Sequence, residues 1–294
     1  MMRVRSRLRT DRRRYETPAS IALQELVRNR SAVVGAAIMV LLLFAAVFAP
    51  LLAPFDPIEI DPSVSLQPPS TVHLMGTDDF GRDIFSRVLF GARISLRVGI
   101  IAVGIGGSIG LLIGLAAGYI GGAFDFVVMR VIDVMLSFPG ILLALLIMTI
   151  LGPSLTNVMI AVGLSDVPLY VRLVRGTVLS AKENGYVEAA KGIGCSRRLI
   201  IMRHILPNIV APFIVVTTLE VANAILLSAT LSFLGMGAQP PSPEWGAMLN
   251  EGRRYIRTAW WMITFPGLMI MISVLGINLL GDGLRDALDP KLSE

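Results

Sequence analysis

The chain has 294 residues, of which 54% are hydrophobic and 16% are charged, and its mean hydropathy is +0.71. A soluble chain of this length would carry about a quarter of its residues as charges, and a disordered chain would be far poorer in aliphatic side chains. One cysteine and two histidines exclude an intramolecular disulfide framework and a His/Cys zinc site. We therefore expect an all-α, polytopic membrane protein.

The distribution of charge favours a membrane over a nucleic acid as the partner of the basic residues. The formal net charge is +5, and nine of the 26 lysines and arginines lie within residues 1–30, directly before an apolar run. Basic residues flanking a first membrane helix on the cytoplasmic side set its orientation. We expect residues 1–30 to be cytoplasmic and expect no nucleic-acid binding.

Apolar runs of about 20 residues predict the membrane helices. The expected helices cover residues 31–55, 98–124, 127–151, 155–175, 209–234 and 259–280. The first is expected to be an uncleaved anchor, because Pro50 after Ala49 removes the obvious cleavage site. The third and fourth share one uncharged run of 32 residues, which Gly152-Pro153-Ser154 is expected to break.

The second apolar run contains a stripe of glycines at four-residue spacing. The stripe consists of Gly106, Gly110, Gly114 and Gly118. Small residues on one face allow membrane helices to approach closely. We expect the stripe to be a helix-packing surface that the chain alone leaves exposed to lipid.

Six crossings with both termini inside satisfy the positive-inside rule. They place 19 basic residues inside and seven outside, whereas five crossings would invert much of this bias. The predicted organisation is a basic N-terminus at 1–30, an anchor helix at 31–55, an extracytoplasmic loop at 56–94, a five-helix domain at 95–282 with a cytoplasmic loop at 176–208, and a cytoplasmic tail at 283–294.

The cytoplasmic loop predicts two short helical segments joined at Gly194. A helix from Tyr186 would present Glu188, Ala189 and Ala190, and Gly194 would let the chain turn. A second, amphipathic segment would end at Pro207. It would bury Leu199, Ile200 and Ile205. From the residues alone, a surface that docks another protein and a hairpin that lies on lipid are both open.

A resemblance favours the docking surface. Glu188-Ala189-Ala190, then Gly194, then His204-Ile205-Leu206-Pro207 is similar to the EAA loop of permease subunits in ABC-type importers. Further stretches are similar to the dipeptide/oligopeptide/nickel branch of these permeases. They are residues 73–83, 231–235 with 243–246, and 278–286. The N-terminal helix followed by Phe55-Asp56-Pro57 resembles the second, C-type permease of that branch.

This resemblance implies the type I ABC importer permease fold in the plasma membrane of a bacterium. It implies half of a pathway for peptides, with a nickel chelate or a glutathione-like solute as alternatives. The implied partners are a second permease in a heterodimer, two ABC ATPase subunits and an extracytoplasmic binding protein. The implied ATPase-coupling residues are Glu188, Ala189, Ala190, Gly194, His204, Leu206 and Pro207.

The sequence indicates a transport subunit and not an enzyme. No G-x-x-x-x-G-K-[ST] segment occurs, so we expect ATP and Mg²⁺ to be bound by partner subunits and expect no cofactor or metal in this chain. A membrane-embedded enzyme would need a motif such as H-E-x-x-H or G-x-S-x-G, and we expect neither in this chain. A secondary transporter, which would show inverted halves, remains a less favoured alternative.

Ionisable residues within the expected helices are candidates for the pore or a subunit interface, because charges there face partners or water. Asp133 is expected either to line the pore or to pair with Arg130 one turn earlier. Asp166 either lines the pore or is paired near the inner boundary, where Arg172 and Arg175 follow. For Glu220 we favour a hydrogen bond at a subunit interface over substrate binding.

Two further features complete the expectations. The outer loop carries Asp78, Asp79 and Asp83, which are too few and too irregularly spaced for calcium, so we expect an amphipathic scoop helix at the mouth of the pathway. Relatives often carry a glutamate near Ser228 in the fifth helix, and its role cannot be assigned to this chain.

Cys195 provides a test of the predicted orientation, because it is the only cysteine. An impermeant thiol reagent applied to intact cells should leave it unlabelled, whereas permeabilised cells should show labelling. Labelling of intact cells would contradict the six-span arrangement.

Overall fold

A computed structural model describes residues 24–288, and within that range the chain is helical and contains no β-strand. The helices are α1 (Arg30–Leu52), α2 (Ile84–Ile120), α3 (Gly122–Leu136), α4 (Gly140–Leu151), α5 (Leu155–Lys182), α6 (Gly185–Gly192), α7 (Arg197–Ile200), α8 (Leu206–Phe233), α9 (Trp245–Gly252) and α10 (Trp261–Leu288). Most of the predicted basic N-terminus and the last six residues of the predicted tail lie outside the described residues.

Five helices between residues 24 and 288 are long and apolar enough to cross a membrane. They are α1, α2, α5, α8 together with the segment before it, and α10. The remaining predicted crossing, the third in chain order, corresponds to α3 and α4, which form a pair bent by 94°. We call the end of the bundle that carries residues 183–205 the hairpin end and the end that carries residues 56–83 the loop end.

Helix α2 begins 14 residues earlier than predicted, at Ile84. The Asp83 carboxylate caps it by accepting a hydrogen bond from the Ser86 backbone N–H at 2.8 Å. Its 37 residues span about 55 Å, more than the roughly 30 Å of a hydrocarbon core. The first turns of α2 therefore lie beyond the hydrocarbon core, where charged arginine side chains are compatible with a helix. A search for apolar runs alone could not detect these turns.

The third predicted helix is broken. Its two parts meet at Ser137-Phe138-Pro139, where Pro139 lacks the N–H that would continue the α3 ladder. The predicted break at Gly152-Pro153-Ser154 is confirmed, because α4 ends at Leu151 and Ser154 Oγ caps α5 by accepting from the Asn157 N–H at 3.1 Å. The prediction of one continuous helix over 127–151 was wrong because it overlooked Pro139.

The glycine stripe of α2 packs against α5 of the same chain. A Cβ at Gly106 would lie 2.6 Å from the Gly163 carbonyl oxygen, and one at Gly114 would lie 2.8 Å from the Val171 carbonyl oxygen. The stripe is thus a helix-packing surface, as predicted. The expectation that the chain leaves it exposed to lipid is wrong, because α5 covers it.

The predicted fourth helix, 155–175, was too short at the hairpin end. Helix α5 continues to Lys182, whose ammonium group donates to the carbonyl oxygens of Gly118 and Tyr119 at 3.0 and 3.1 Å. These carbonyls belong to the last turn of α2, which has no partners for them within its own helix. A long cationic side chain thus ties the ends of two helices together, and its charge does not interrupt the helix.

Gly114 and Gly104 should respond to alanine with opposite signs. Gly114→Ala should lower the free energy of unfolding of the purified protein in detergent by about 1–3 kcal/mol, because the added methyl group meets the α5 backbone. Gly104 has open space at its Cβ position, so Gly104→Ala should leave stability unchanged or raise it by up to about 1 kcal/mol. Equal effects of the two substitutions would show that α2 and α5 are not in close contact.

Candidate functional site

The segment between α5 and α8 folds into a hairpin whose turn depends on Gly194. Helix α6 ends with a Schellman motif: the Gly194 N–H donates to the Lys191 carbonyl oxygen and the Cys195 N–H to the Ala190 carbonyl oxygen, both at 3.0 Å. This motif needs the left-handed conformation at Gly194, where φ is +81°. The predicted helix and the predicted turn are confirmed, and glycine at 194 is required by the backbone.

Helix α6 has one face inside the chain and one outside. Val187 and Ala190 are buried, with Ala190 5% exposed, against a cluster that includes Val174, Val178 and Ile205. The other face is exposed and consists of Glu188, Ala189, Gly192 and Ile193. Ala190 therefore anchors the hairpin to the bundle, and of the two alanines only Ala189 is available to another protein.

The return from the hairpin runs directly into α8. Residues Ile201–Ile205 form a π-helical turn, and Pro207 lies in the first turn of α8, where its missing N–H costs no hydrogen bond. The prediction that Pro207 ends a helix is therefore wrong. Ile200 and Ile205 are buried as expected, but Leu199 is exposed.

Hydrogen bonds close the hairpin between its first and last residues. The Asn208 side-chain amide donates to the Tyr186 hydroxyl at 3.0 Å and to the His204 carbonyl oxygen at 2.6 Å. The His204 ring lies 6.0 Å from the Tyr186 ring, and Leu206 packs on the buried cluster under the hairpin. His204, Leu206 and Pro207 thus position the base of the hairpin, while Glu188, Ala189 and Gly194 lie towards its tip.

Exposed apolar side chains cover the hairpin. They are Tyr186, Ile193, Leu199 and Met202, and Ile193 is 82% exposed. Four basic side chains of the same segment are also exposed: Lys191, Arg197, Arg198 and Arg203. We call these eight residues the hairpin patch. A contiguous apolar surface with a polar rim marks a contact with another protein or a membrane.

The predicted pair of Arg130 and Asp133 is wrong. Asp133 Oδ1 lies 3.0 Å from an Arg172 guanidinium nitrogen, and the Arg130 guanidinium lies over the Phe126 ring at 5.2 Å from its centroid. The Arg172 pair connects α3 to α5 and is about half exposed. Asp133 therefore belongs to a contact between helices near the hairpin end.

A second ion pair between α3 and α5 was not predicted. Arg175 donates two hydrogen bonds, at 2.5 and 2.6 Å, to the two carboxylate oxygens of Asp125. Because Arg172 and Arg175 both pair with α3, the expectation that Asp166 is paired with one of them near the boundary is wrong. Contacts over 39 and 50 residues along the chain have no local sequence pattern.

Asp166 and Glu220 both lie in the middle of long helices. Asp166 Oδ2 is buried and has no hydrogen-bond partner among the described residues. Glu220 Oε1 accepts a hydrogen bond from the Asn223 side-chain amide at 3.2 Å. Ser228 is buried and its hydroxyl has no partner in residues 24–288.

At the loop end the predicted scoop helix is absent from the described residues, and four charged groups form a buried cluster. Residues 56–83 contain only a 3₁₀ turn, Pro62–Val64. The four groups, which we call the loop-end charge cluster, are Asp78, Arg82, Arg87 and Glu251. Sequence reasoning noticed Asp78 but missed its arginine partners and Glu251, which is distant in sequence.

The loop-end charge cluster is closely connected. Arg82 Nε lies 2.6 Å from Asp78 Oδ2, and guanidinium nitrogens of Arg82 and Arg87 each lie 3.0 Å from Glu251 Oε2. Burial raises the pKa of Glu251, and the two arginines oppose that rise. The formal charges cancel, so the cluster is neutral as a unit.

Tryptophan side chains hold the loop and α9 around this cluster. Trp261 Nε1 donates to the Thr77 carbonyl oxygen at 3.0 Å, and Trp245 Nε1 donates to the Val88 carbonyl oxygen at 3.0 Å. Asp83 lies 3.0 Å from the His73 ring nitrogen as well as capping α2. The three aspartates of this loop thus have structural contacts: Asp79 Oδ2 is 3.5 Å from the Tyr255 hydroxyl.

The expectation that the sequence contains no G-x-S-x-G motif is wrong, because residues 106–110 have that spacing. Ser108 lies within α2, and its hydroxyl donates to the Gly104 carbonyl oxygen at 2.5 Å. Within residues 24–288, Ser108 has no hydrogen bond to a histidine or a carboxylate.

Two family profiles match the sequence. The family described as "Binding-protein-dependent transport system inner membrane component" matches residues 110–294. The family described as "N-terminal TM domain of oligopeptide transport permease C" matches residues 17–69.

Similar proteins include a dipeptide transport system permease protein, DppC, of Alkalihalophilus pseudofirmus. It is 50% identical over 277 residues, which cover 94% of this chain and 91% of that protein. A glutathione transport system permease protein, GsiD, of Escherichia coli is 48% identical over 90% of this chain and 88% of that protein. Among solved structures, an inward-facing MetNI methionine ABC transporter matches with a TM-score of 0.56 and 19% identity, over 70% of this chain and 98% of that one.

Breaking the loop-end charge cluster should destabilise the protein unless both signs are removed together. Arg87→Met leaves one buried negative charge uncompensated, and Glu251→Gln leaves one positive charge, so each should cost about 3–5 kcal/mol. The double variant restores neutrality and should cost less than the sum of the two. Thermal unfolding in detergent measures all three, and strict additivity would contradict a coupled cluster.

Proposed function

The chain belongs to the family of inner membrane components of binding-protein-dependent transport systems, and from that premise we propose that it forms half of the translocation pathway of an ATP-driven peptide importer. The predicted resemblance to this permease branch is confirmed by the two profile matches. The protein is therefore a multi-pass subunit of an ABC transporter in the inner membrane.

The hairpin between α5 and α8 carries the proposal that the chain is driven by separate ATPase subunits. Its buried cluster fixes α6 to the last turns of α5, and its return segment continues into α8. A force applied to the hairpin patch would reach two membrane helices directly. A lipid-surface hairpin would need no such rigid connection to the bundle.

The contact with an ATPase would use the exposed tip of the hairpin. Ile193 and Ala189 offer apolar surface, and Glu188 offers a charge for an orienting ion pair. ATP and Mg²⁺ would be bound by the ATPase subunits, since this sequence has no phosphate-binding G-x-x-x-x-G-K-[ST] loop. The hairpin end and both termini would then be cytoplasmic.

Peptides are the proposed solute class. The relatives named above transport a dipeptide and glutathione, which is itself a short peptide. A nickel chelate is a weaker alternative, because neither of these relatives is named for a metal. A second permease subunit, two ATPases and an extracytoplasmic binding protein would complete the transporter.

A charge reversal at Glu188 should uncouple the proposed transporter. Glu188→Arg should abolish uptake without preventing membrane insertion, since reversing an interfacial charge costs roughly 2–5 kcal/mol. Glu183→Arg is the matched control, because Glu183 is also exposed but precedes α6. Copurification of ATPase subunits, peptide uptake and stimulated ATP hydrolysis are the measurements.

Normal ATPase binding and stimulated hydrolysis in Glu188→Arg would contradict the proposal. A loss of ATPase binding in Glu183→Arg as well would point to a diffuse charge effect and not to a docking contact at α6.

A further inference from the structure

Two carboxylates lie near the middle of two adjacent helices. Asp166 is the twelfth residue of α5, and Glu220 is the fifteenth residue of α8. At 1.5 Å per residue, Glu220 lies about 21 Å along a helix of about 42 Å. The two helices are in contact at Tyr170, one turn after Asp166, and Phe213, two turns before Glu220, whose rings are 5.4 Å apart.

Neither carboxylate has a basic partner within residues 24–288. The arginines that follow Asp166 on α5 are paired with α3, and Glu220 accepts only from the Asn223 amide. Both residues are partly exposed, so the pair opens to the surface of the chain. Two unpaired carboxylates at this depth are costly against lipid, and the surface they open to must therefore be water or another polar group.

Polar groups without a hydrogen-bond partner lie one turn from each carboxylate. Tyr170, one turn after Asp166, is 0% exposed, and its hydroxyl, like Asp166 Oδ2 and Thr217 Oγ1, has no hydrogen-bond partner in the described structure. Thr217 lies one turn before Glu220 on α8.

Glycines on α2 make room for these side chains. A Cβ at Gly106 would lie 3.2 Å from Asp166 Cβ, and one at Gly107 would lie 3.2 Å from the Phe213 ring, which stacks at 5.4 Å from the Tyr170 ring. The positions of Asp166 and Tyr170 are thus fixed by packing against α2 and α8. The oxygens without hydrogen-bond partners therefore belong to side chains that packing holds in place.

Buried polar atoms are rarely left without hydrogen bonds, so several unpartnered oxygens together indicate a ligand with donors. The charge of the site requires that ligand to be a cation. An ammonium group provides three N–H donors and one positive charge, which match two carboxylates and a hydroxyl. A bare Ca²⁺ or Mg²⁺ ion would need about six or more oxygen ligands, and this site offers fewer.

We propose that Asp166 and Glu220, with the Tyr170 hydroxyl, bind the α-ammonium group of the peptide during its passage through the membrane. This inference rests on the proposed function and adds the group of the solute that this chain recognises.

The test uses the complete transporter in proteoliposomes, with its partner permease, ATPases and binding protein, and radiolabelled L-alanyl-L-alanine. Asp166→Asn and Glu220→Gln, which remove charge at almost constant size, should each lower uptake at least about tenfold, because charge-assisted hydrogen bonds are lost. Stimulated ATP hydrolysis and copurification of the partner permease should be unchanged. Glu220→Asp, which keeps the charge, should restore most uptake.

Glu59→Gln is the matched control, because it removes an exposed carboxylate in the loop at residues 56–83 and should leave uptake unchanged. Wild-type uptake in both single variants would overturn the inference and leave the proposed function intact. A parallel fall in uptake and hydrolysis, or loss of the partner permease, would also overturn it by assigning the carboxylates to structure or assembly. Absence of uptake by the wild-type transporter would instead overturn the proposed function, and this inference with it.

Discussion

The close packing of α2 against α5 is the constraint on which the rest of the structure depends. Glycines on α2 bring its backbone against α5, and Lys182 fixes the far ends of both helices. Arg87 in the first turn of α2 belongs to the loop-end charge cluster, and the hairpin follows the last turn of α5. A displacement of one helix along the other would therefore change both ends of the bundle. These ends are about 30 Å or more apart, which is the length of about 20 helical residues.

The pairing of charged side chains differs along the length of the helix bundle. Near the hairpin end, α3 and α5 are joined by the Asp133–Arg172 and Asp125–Arg175 pairs, and at the loop end four charges cancel in a buried cluster. Between them, Asp166 and Glu220 have carboxylates and no counter-charge within the described residues. The paired charges join helices, whereas Asp166 and Glu220 are the carboxylates that we propose to bind the solute.

Much of the fold could be predicted from the sequence because hydrocarbon imposes a simple rule on helices. Apolar runs located all the long helices, Gly152-Pro153-Ser154 located a break, and Gly194 located the hairpin turn. The same rule missed the first turns of α2, since they lie beyond the apolar run. It also missed the break at Pro139, since proline interrupts a helix without adding a charge. Fold class follows from composition, whereas helix ends follow from local chemistry.

The candidate site was less predictable, because its contacts are distant in sequence. Asp133 seemed paired with Arg130 by spacing, yet Arg172 on another helix provides a better partner. Ala189 and Ala190 are adjacent and equivalent in a motif, but a helix rotates neighbours by about 100°, so only one can face outwards. Sequence spacing thus identified the hairpin that we propose as the ATPase contact, and only the packed structure separated the residues that hold it in place from those available for contact.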